Sequence, residues 1–151
     1  MKRIGLISDT HGLLRPEVEA FLRGSDHIIH AGDICEQQIL ERLNTLAPVT
    51  AVRGNNDNGA WAKRLPMTQF FEVEGAFLYV LHDLADLDVD PIAAGVRVVV
   101  SGHSHKPSVE ERDSVLYVNP GSPGPRRFKL PIAAGELIIQ GGKVSARIVE
   151  F

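Results

Sequence analysis

Aspartate, histidine and asparagine side chains follow apolar runs at five places along the chain. The first place is Asp9-Thr10-His11, and the last is Gly102-His103-Ser104-His105. Between them come Gly32-Asp33, Gly54-Asn55-Asn56-Asp57 and His82. Carboxylate, imidazole and carboxamide groups are ligands for hard to borderline metal ions. The residue types therefore predict a metal site assembled from five separate segments.

The pattern supplies seven candidate metal ligands: Asp9, His11, Asp33, Asn55, His82, His103 and His105. A mononuclear site needs only three or four of them. Seven ligands fit two ions if one carboxylate bridges, which places such ions roughly 3.5–4 Å apart. The set has no thiolate, which argues against a closed, cysteine-rich zinc site. A single aspartate after a strand is often only a helix N-cap, so the prediction depends on the whole set.

A parallel α/β arrangement in the first half of the chain would bring these segments together. Ile4–Ser8, His27–Ala31 and Pro48–Val52 are predicted strands, and Arg15–Leu22 and Glu36–Leu46 are predicted helices. This βαβαβ order is typical of a parallel sheet. The strands of such a sheet end at one crevice, where ligands bind.

Hairpin patterns dominate the second half of the chain. Its predicted strands are Phe70–Val73, Phe77–Leu81, Val96–Val100, Val109–Glu111, Val115–Val118, Glu136–Ile139 and Val144–Ile148. Turn residues such as Glu74-Gly75 and Gly141-Gly142 lie between consecutive strands and predict that the two strands form a hairpin. Hairpins after an α/β start predict an α/β fold of two packed mixed β-sheets flanked by helices, an αββα sandwich.

Length and composition fit a single domain over residues 1–151. The chain is 44% hydrophobic and 23% charged, with a net charge of −3. These values are ordinary for a globular protein and give no electrostatic argument for nucleic acid or membrane as a partner. Cys35 is the only cysteine, so no internal disulfide is expected. The apolar stretch behind Met1-Lys2-Arg3 stops too early for a signal peptide, so we expect a cytoplasmic location.

The five segments, in this order, resemble the calcineurin-like metallophosphoesterase superfamily and especially its small single-domain phosphodiesterase branch. The D-x-H, G-D, G-N, isolated-histidine and G-H-x-H motifs correspond to Asp9–His11, Gly32-Asp33, Gly54-Asn55, His82 and Gly102–His105. Asn119–Ser122 is similar to a loop common in that branch. The resemblance covers nearly the whole chain.

The resemblance implies a ligand set for each of two divalent ions. Asp9, His11 and His105 would hold the first ion. Asn55, His82 and His103 would hold the second, and Asp33 would bridge the two. Such ions lower the pKa of a shared water toward ~7, and the bridging hydroxide attacks phosphorus in line with the leaving oxygen. Manganese is the metal that the resemblance suggests, although iron, zinc, nickel and cobalt suit the same ligands.

Two departures from the family pattern concern catalysis and substrate. Many members have histidine at the position of Asn56, where it helps the leaving group or binds phosphate. Asn56 donates hydrogen bonds but cannot transfer a proton near neutral pH, so we retain it as a catalytic and substrate-binding candidate beside catalytic Asp33. Relatives often have Gly-His after the isolated histidine, whereas this chain has Asp83-Leu84. We expect the acidic residues of segment 83–90 to form a solvated loop; if they instead rim the pocket, they would disfavour highly anionic substrates.

Three other features each have two interpretations. Arg126-Arg127 either binds phosphate bidentately or is an exposed basic pair. Cys35 lies either near the metal ions or, as the commoner role, in the core as a small hydrophobe. His30 alternates with buried neighbours, which favours a hydrogen-bonded core position or one behind the ligands over a ligand.

The predicted function is a dinuclear metal-dependent phosphoesterase that acts on small phosphate esters, with phosphodiesters favoured. One alternative is a non-catalytic scaffold, because the retromer subunit of this fold has degenerate metal motifs and serves as a protein-interaction surface. Another alternative is a phosphomonoesterase. Relatives in this branch often self-associate, so a homo-oligomer is a further expectation that the resemblance leaves open.

Overall fold

The structure is a computed structural model that describes all 151 residues. Its helices and strands are, in chain order, β1 (Lys2–Ile7), α1 (Pro16–Leu22), β2 (His27–His30), α2 (Gln37–Asn44), β3 (Val49–Ala51), α3 (Ala60–Lys63), β4 (Thr68–Val73), β5 (Ala76–Leu81), β6 (Val96–Val100), β7 (Ser108–Arg112), β8 (Val115–Asn119), β9 (Ala133–Gln140) and β10 (Lys143–Glu150). A 3₁₀ turn at Leu84–Asp86 follows β5. None of the helices has the length and apolar character needed to cross a membrane.

The strands form two five-stranded mixed sheets, which confirms the predicted architecture. The first sheet has the order β10-β9-β1-β2-β3, and the second has the order β4-β5-β6-β8-β7. In the first sheet β1, β2 and β3 are parallel, and β9 and β10 add antiparallel strands. In the second sheet β5, β6 and β8 are parallel, with antiparallel β4 and β7 at the two edges.

The two sheets enclose one apolar core. Side chains of both sheets meet there, including Ile4 and Leu137 from the first and Leu78 and Val98 from the second. Leu78, Val98 and Leu137 are completely buried, and burying one such side chain stabilises the fold by roughly 1.5–3 kcal/mol. The sheets therefore form a stable base for the loops at their edges.

The outer faces of the two sheets are covered differently. Helices α1 and α2 pack on the first sheet through Val18, Leu22, Ile39 and Leu43. On the second sheet, a segment with only a 3₁₀ turn contributes Leu84, Leu87 and Val89. The α-helices thus lie on one side of the sandwich, and an irregular segment covers the other side next to His82.

Candidate metal centre

Asp9 lies fully buried in the loop after β1, and its two carboxylate oxygens have different surroundings. Oδ2 accepts hydrogen bonds from Ser8 Oγ at 2.7 Å and from the backbone N–H of His103 at 2.9 Å. Oδ1 has no hydrogen-bond partner. The Nε2 atoms facing Oδ1 are those of His105 at 3.4 Å, His11 at 3.8 Å and His82 at 3.9 Å. A buried carboxylate oxygen without a donor, surrounded by ring nitrogens, fits a metal ligand.

The structure brings the three residues predicted for the first ion together. One ligand atom from each of Asp9, His11 and His105 lies within 4.8 Å of the other two. The Nε2 atoms of His11 and His105 are 3.3 Å apart. Asp9 and His11 lie in the loop after β1, and His105 lies in the loop after β6. Because β1 and β6 belong to different sheets, this ligand set combines residues from both sheets.

The residues predicted for the second ion also converge. His103 Nδ1 lies 3.2 Å from Asn55 Oδ1 and 3.3 Å from His82 Nε2. Asp33 Oδ2 lies 3.4 Å from His82 Nε2 and 3.6 Å from His11 Nε2. Asp33 therefore stands between a histidine of each predicted set, the position that a bridging carboxylate requires.

Carboxylates and imidazoles perturb one another in this centre. Burial alone would raise the pKa of Asp9, but His105, His11 and Ser8 outweigh it and hold that pKa well below its usual range. Burial opposes the charge of His82, yet the side chain of Asp33 raises the pKa of His82 to about 8. The centre thus favours positive charge next to its carboxylates, which is the property a cation site needs.

Five of the seven predicted ligands have left-handed backbone conformations. Their φ angles are 56° for Asp9, 46° for His11, 57° for Asp33, 71° for His103 and 62° for His105. Residues other than glycine adopt this region at a cost, and such residues cluster at functional sites. Hydrogen bonds between loops offset that cost: Asp9 N–H donates to Gly32 O at 2.9 Å and His11 N–H to Asp33 O at 3.0 Å.

Gly102 and Gly54 are required because backbone passes directly against ligand side chains. A Cβ atom added to Gly102 would overlap Ser8 Oγ and Asp9 Oδ2, and one added to Gly54 would overlap Asp33 Oδ1. The glycine of each motif therefore makes room for the carboxylate of another segment.

Asp57 has a role that sequence reasoning missed. Its carboxylate is buried and accepts three backbone hydrogen bonds, from Asp33 and Gly54 through Oδ2 and from Cys35 through Oδ1, at 2.8–3.0 Å. It thereby joins the loop after β2 to the loop after β3. The position of Asp57 beside Asn55 and Asn56 in one polar segment was the feature of the sequence that could have indicated this role.

The loop at residues 119–124 joins two other ligand segments. Asn119 Nδ2 donates to Gly102 O at 3.0 Å and to Ser104 Oγ at 3.1 Å. Ser122 Oγ donates to Asp9 O at 2.7 Å. This loop, noted in the sequence only as a family feature, thus holds the segments that carry the first predicted ion.

Cys35 and His30 lie next to the ligand segments but are not among the predicted ligands. Cys35 is partly exposed, and its Sγ lies 3.5 Å from His11 Nδ1, so the expectation of a buried core position was wrong. His30 is fully buried, which confirms the preferred interpretation. Its Nδ1 accepts from Gly32 N–H at 3.1 Å and its Nε2 lies 3.0 Å from Thr10 Oγ1.

Asn56 contacts the predicted bridging carboxylate. Its side-chain amide donates to Asp33 Oδ2 at 2.9 Å, and its backbone N–H donates to Asp33 Oδ1 at 2.8 Å. Asn56, a candidate for catalysis and substrate binding, therefore also orients the carboxylate of Asp33.

A cavity of about 360 Å³ adjoins the second predicted ligand set. Asn55, His82 and His103 line it together with Arg53, Met67 and three acidic residues, Asp83, Asp86 and Asp88. Asp83 Oδ2 also lies 3.7 Å from His103 Nε2. Three carboxylates of the segment after His82 thus rim this cavity, where only a solvated loop was expected, and Asp86 and Asp88 are at the same time exposed to solvent.

The chain belongs to the calcineurin-like phosphoesterase superfamily, whose domain profile matches residues 1–140. A protein of Methanothermobacter thermautotrophicus named probable metallophosphoesterase is 36% identical over 97% of this chain and 91% of its own length. A phosphodiesterase of Methanocaldococcus jannaschii is 31% identical over 79% of this chain and 82% of its own. The predicted family is therefore confirmed, and membership supports the class of phosphoric ester hydrolases.

Solved structures show the same fold. Vps29 of Chaetomium thermophilum superposes with a TM-score of 0.81 over 100% of this chain and 97% of its own, at 18% identity. At that identity the likeness concerns the fold alone.

Proposed function

We propose that the protein is a dinuclear metal-dependent phosphodiesterase. The observation that carries the proposal is the unpartnered, fully buried Asp9 Oδ1, which three histidine Nε2 atoms face. Oxygen and nitrogen donors without thiolate suit manganese as the working metal, and iron, zinc, nickel or cobalt as substitutes. Two divalent cations, when bound, supply a hydroxide nucleophile at neutral pH and neutralise charge on the phosphoryl oxygens.

The side chains of this chain hold and orient that centre. Asp9, His11 and His105 provide the first ligand set, and Asn55, His82 and His103 provide the second. Asp33 contacts both sets and is the proposed bridge. Asn56 fixes both oxygens of Asp33 by hydrogen bonds. Since both carboxylates and most ligand loops are held by neighbouring loops, little reorganisation is needed when charge develops on the substrate.

The similarity to the Methanocaldococcus jannaschii phosphodiesterase supports diesters as the substrate class. The acidic rim of the cavity at the second ligand set supports the same choice, because carboxylates at Asp83, Asp86 and Asp88 disfavour a doubly charged monoester more than a singly charged diester. A small, soluble phosphodiester is therefore the proposed substrate, and the cytoplasm is the proposed location.

Hydrolysis of bis-nitrophenyl phosphate by metal-stripped protein tests the proposal. We expect activity only after manganese is added, calorimetric binding of two ions per chain, and loss of both properties in Asp33→Asn. Asp113→Asn is the matched control, because Asp113 is an exposed residue of the turn between β7 and β8 and belongs to none of the ligand segments. Binding of two ions without turnover on any diester would reject the enzymatic part of the proposal.

A protein-binding scaffold is the second candidate, and one surface favours it. Phe70 and Phe77, on β4 and β5, are 45% and 38% exposed, and their ring centres are 5.6 Å apart. An exposed aromatic pair on an edge of a sheet is a typical contact surface for a partner or a second copy of the chain. The converging ligand set favours the enzyme over this alternative.

A phosphomonoesterase is the third candidate, and it makes a different prediction for a paired assay. Nitrophenyl phosphate and bis-nitrophenyl phosphate share the leaving group and differ in the charge on phosphorus. We expect the higher kcat/KM with the diester. A higher value with the monoester would assign the protein to the phosphomonoesterases instead.

A further inference from the structure

Arg126 and Arg127 lie beside the first predicted ligand set. They line an open cavity of about 270 Å³ together with His11, His105 and Pro125. No carboxylate lines this cavity. The arginine pair is exposed, as one of its two interpretations predicted, and it lies next to the candidate metal centre.

The two guanidinium groups have no acidic partner. Five other arginines form ion pairs with glutamate: Arg3, Arg42, Arg97, Arg112 and Arg147. Arg126 and Arg127 have no such pair, and no other residue accepts a hydrogen bond from their side chains. Their donors remain available to a ligand.

The loop that carries the pair is fixed to the metal centre. Ser122 Oγ donates to Asp9 O at 2.7 Å. Arg15 donates from Nε to Pro123 O at 3.0 Å and from Nη2 to Gly124 O at 3.2 Å. The backbone leading into Arg126 is therefore anchored to the segment that holds Asp9 and His11, and the position of the pair relative to the ligands is set by the fold.

The two ends of the centre have opposite charge. Asp83, Asp86 and Asp88 rim the cavity at the second ligand set, where Arg53 is the only arginine or lysine. At the first ligand set the cavity is lined by two arginines and no acid. An anionic group beyond the scissile phosphate is therefore repelled at one end and attracted at the other.

We propose that Arg126 and Arg127 bind a second anionic group of the substrate, a carboxylate or phosphate separate from the scissile phosphate. The planar guanidinium fork is suited to bidentate recognition of either group. This inference rests on the proposed function, because it assumes that phosphorus binds at the metal centre. It assigns the pair a role in substrate specificity and orientation.

Isothermal titration of the manganese-loaded protein with matched phosphonates tests the proposal. 3-Phosphonopropionate and propylphosphonate share a phosphonate and differ in one carboxylate, and 6-phosphonohexanoate and hexylphosphonate make the same comparison over a longer reach. We expect the carboxylate to tighten binding roughly tenfold in at least one pair, as a charge-assisted hydrogen bond at a partly exposed site would.

Two double variants identify the source of that preference. Arg126→Gln/Arg127→Gln should abolish it. Arg23→Gln/Arg64→Gln removes the same charge from two exposed positions outside both cavities and should retain it. A preference that survives in Arg126→Gln/Arg127→Gln overturns the proposal, since the arginines are then not its source.

Turnover is measured in the same preparations so that the two proposals fail separately. Equal affinities of the wild type for both members of both pairs overturn the arginine proposal, even if bis-nitrophenyl phosphate is hydrolysed. A carboxylate preference that depends on the arginines, without hydrolysis of any diester, supports the anion site and rejects only the enzymatic function.

Discussion

The Asn56 side chain donates a hydrogen bond of 2.9 Å from Nδ2 to Oδ2 of Asp33, and the Asn56 backbone N–H donates to Oδ1 at 2.8 Å. One residue thus contacts both oxygens of the carboxylate that is proposed to bridge two ions. Loss of a group that orients a metal ligand typically costs about 10–100-fold in metal affinity or activity. Position 56 therefore bears on metal binding as well as on the leaving group.

The first prediction concerns metal affinity. Asn56→Ala should weaken manganese binding by about tenfold, because Asp33 loses its side-chain donor while the backbone donor stays. Calorimetric titration of metal-free protein measures this affinity. Asn58→Ala is the matched control, since the Asn58 amide contacts only the backbone carbonyl of Asn56, at 3.3 Å. Unchanged affinity in Asn56→Ala would show that the backbone contact is sufficient.

The second prediction concerns the leaving group. A histidine at position 56 can donate a proton near neutral pH, whereas asparagine cannot. Asn56→His should therefore raise the rate with an alkyl leaving group roughly tenfold more than the rate with nitrophenolate, which needs no proton. Both rates are measured at saturating manganese, so that a change in metal affinity does not contribute. An equal effect on both substrates would exclude proton transfer from this position.

Local patterns in the sequence were sufficient to predict the strands and to select candidate ligands that the structure brings together. Apolar runs followed by Asp9, Asp33 and Asn55 predicted parallel strands that end at one edge, and the structure has those residues in the loops that follow β1, β2 and β3. Such a prediction succeeds because the strand and its ligand are neighbours in sequence. The loops after β5 and β6 were expected at the same site from their residue types, and only the family resemblance implied which ion each of their histidines would hold.

The residues that hold the ligand loops in place could not be predicted in the same way. Asp57 and Asn119 act through backbone groups of segments that are distant in sequence, such as Asp33 N–H and Gly102 O. No side-chain pattern records which backbone group a buried carboxylate or amide will meet. The position of Cys35 was wrong for a related reason: its φ of 72° turns the side chain toward His11 rather than into the core.

The third prediction concerns the carboxylate that joins two ligand loops. Asp57→Asn should lower the free energy of unfolding by roughly 2–3 kcal/mol. Oδ1 and Oδ2 of Asp57 both accept backbone N–H groups, so an NH₂ group at either position meets a donor instead of an acceptor. Denaturant unfolding of metal-free protein measures the change. The exposed control Asp113→Asn should stay within about 0.5 kcal/mol of the wild type, and a similar value for Asp57→Asn would contradict the assigned role.

The fourth prediction is a pH dependence of stability that arises from His30. Burial lowers the pKa of His30 from 6.5 to about 3, and its Nδ1 is occupied as an acceptor for Gly32 N–H. Below pH 6.5 the unfolded chain therefore binds a proton at this histidine that the folded protein does not. The free energy of unfolding consequently falls as the pH falls, by at most about 1.4 kcal/mol per pH unit for this one group.

His30→Gln isolates that contribution, because glutamine does not titrate. The difference in unfolding free energy between wild type and variant should be constant from pH 7.5 to 8.5, where His30 is neutral in both states. Between pH 6.5 and pH 5 the wild type should lose stability faster than the variant. His82, with its pKa raised by Asp33, titrates in both proteins, so its effect cancels in the difference. Denaturant titrations at each pH, with chelator present, measure the two curves, and parallel curves below pH 6.5 would show that the folded protein accommodates protonated His30.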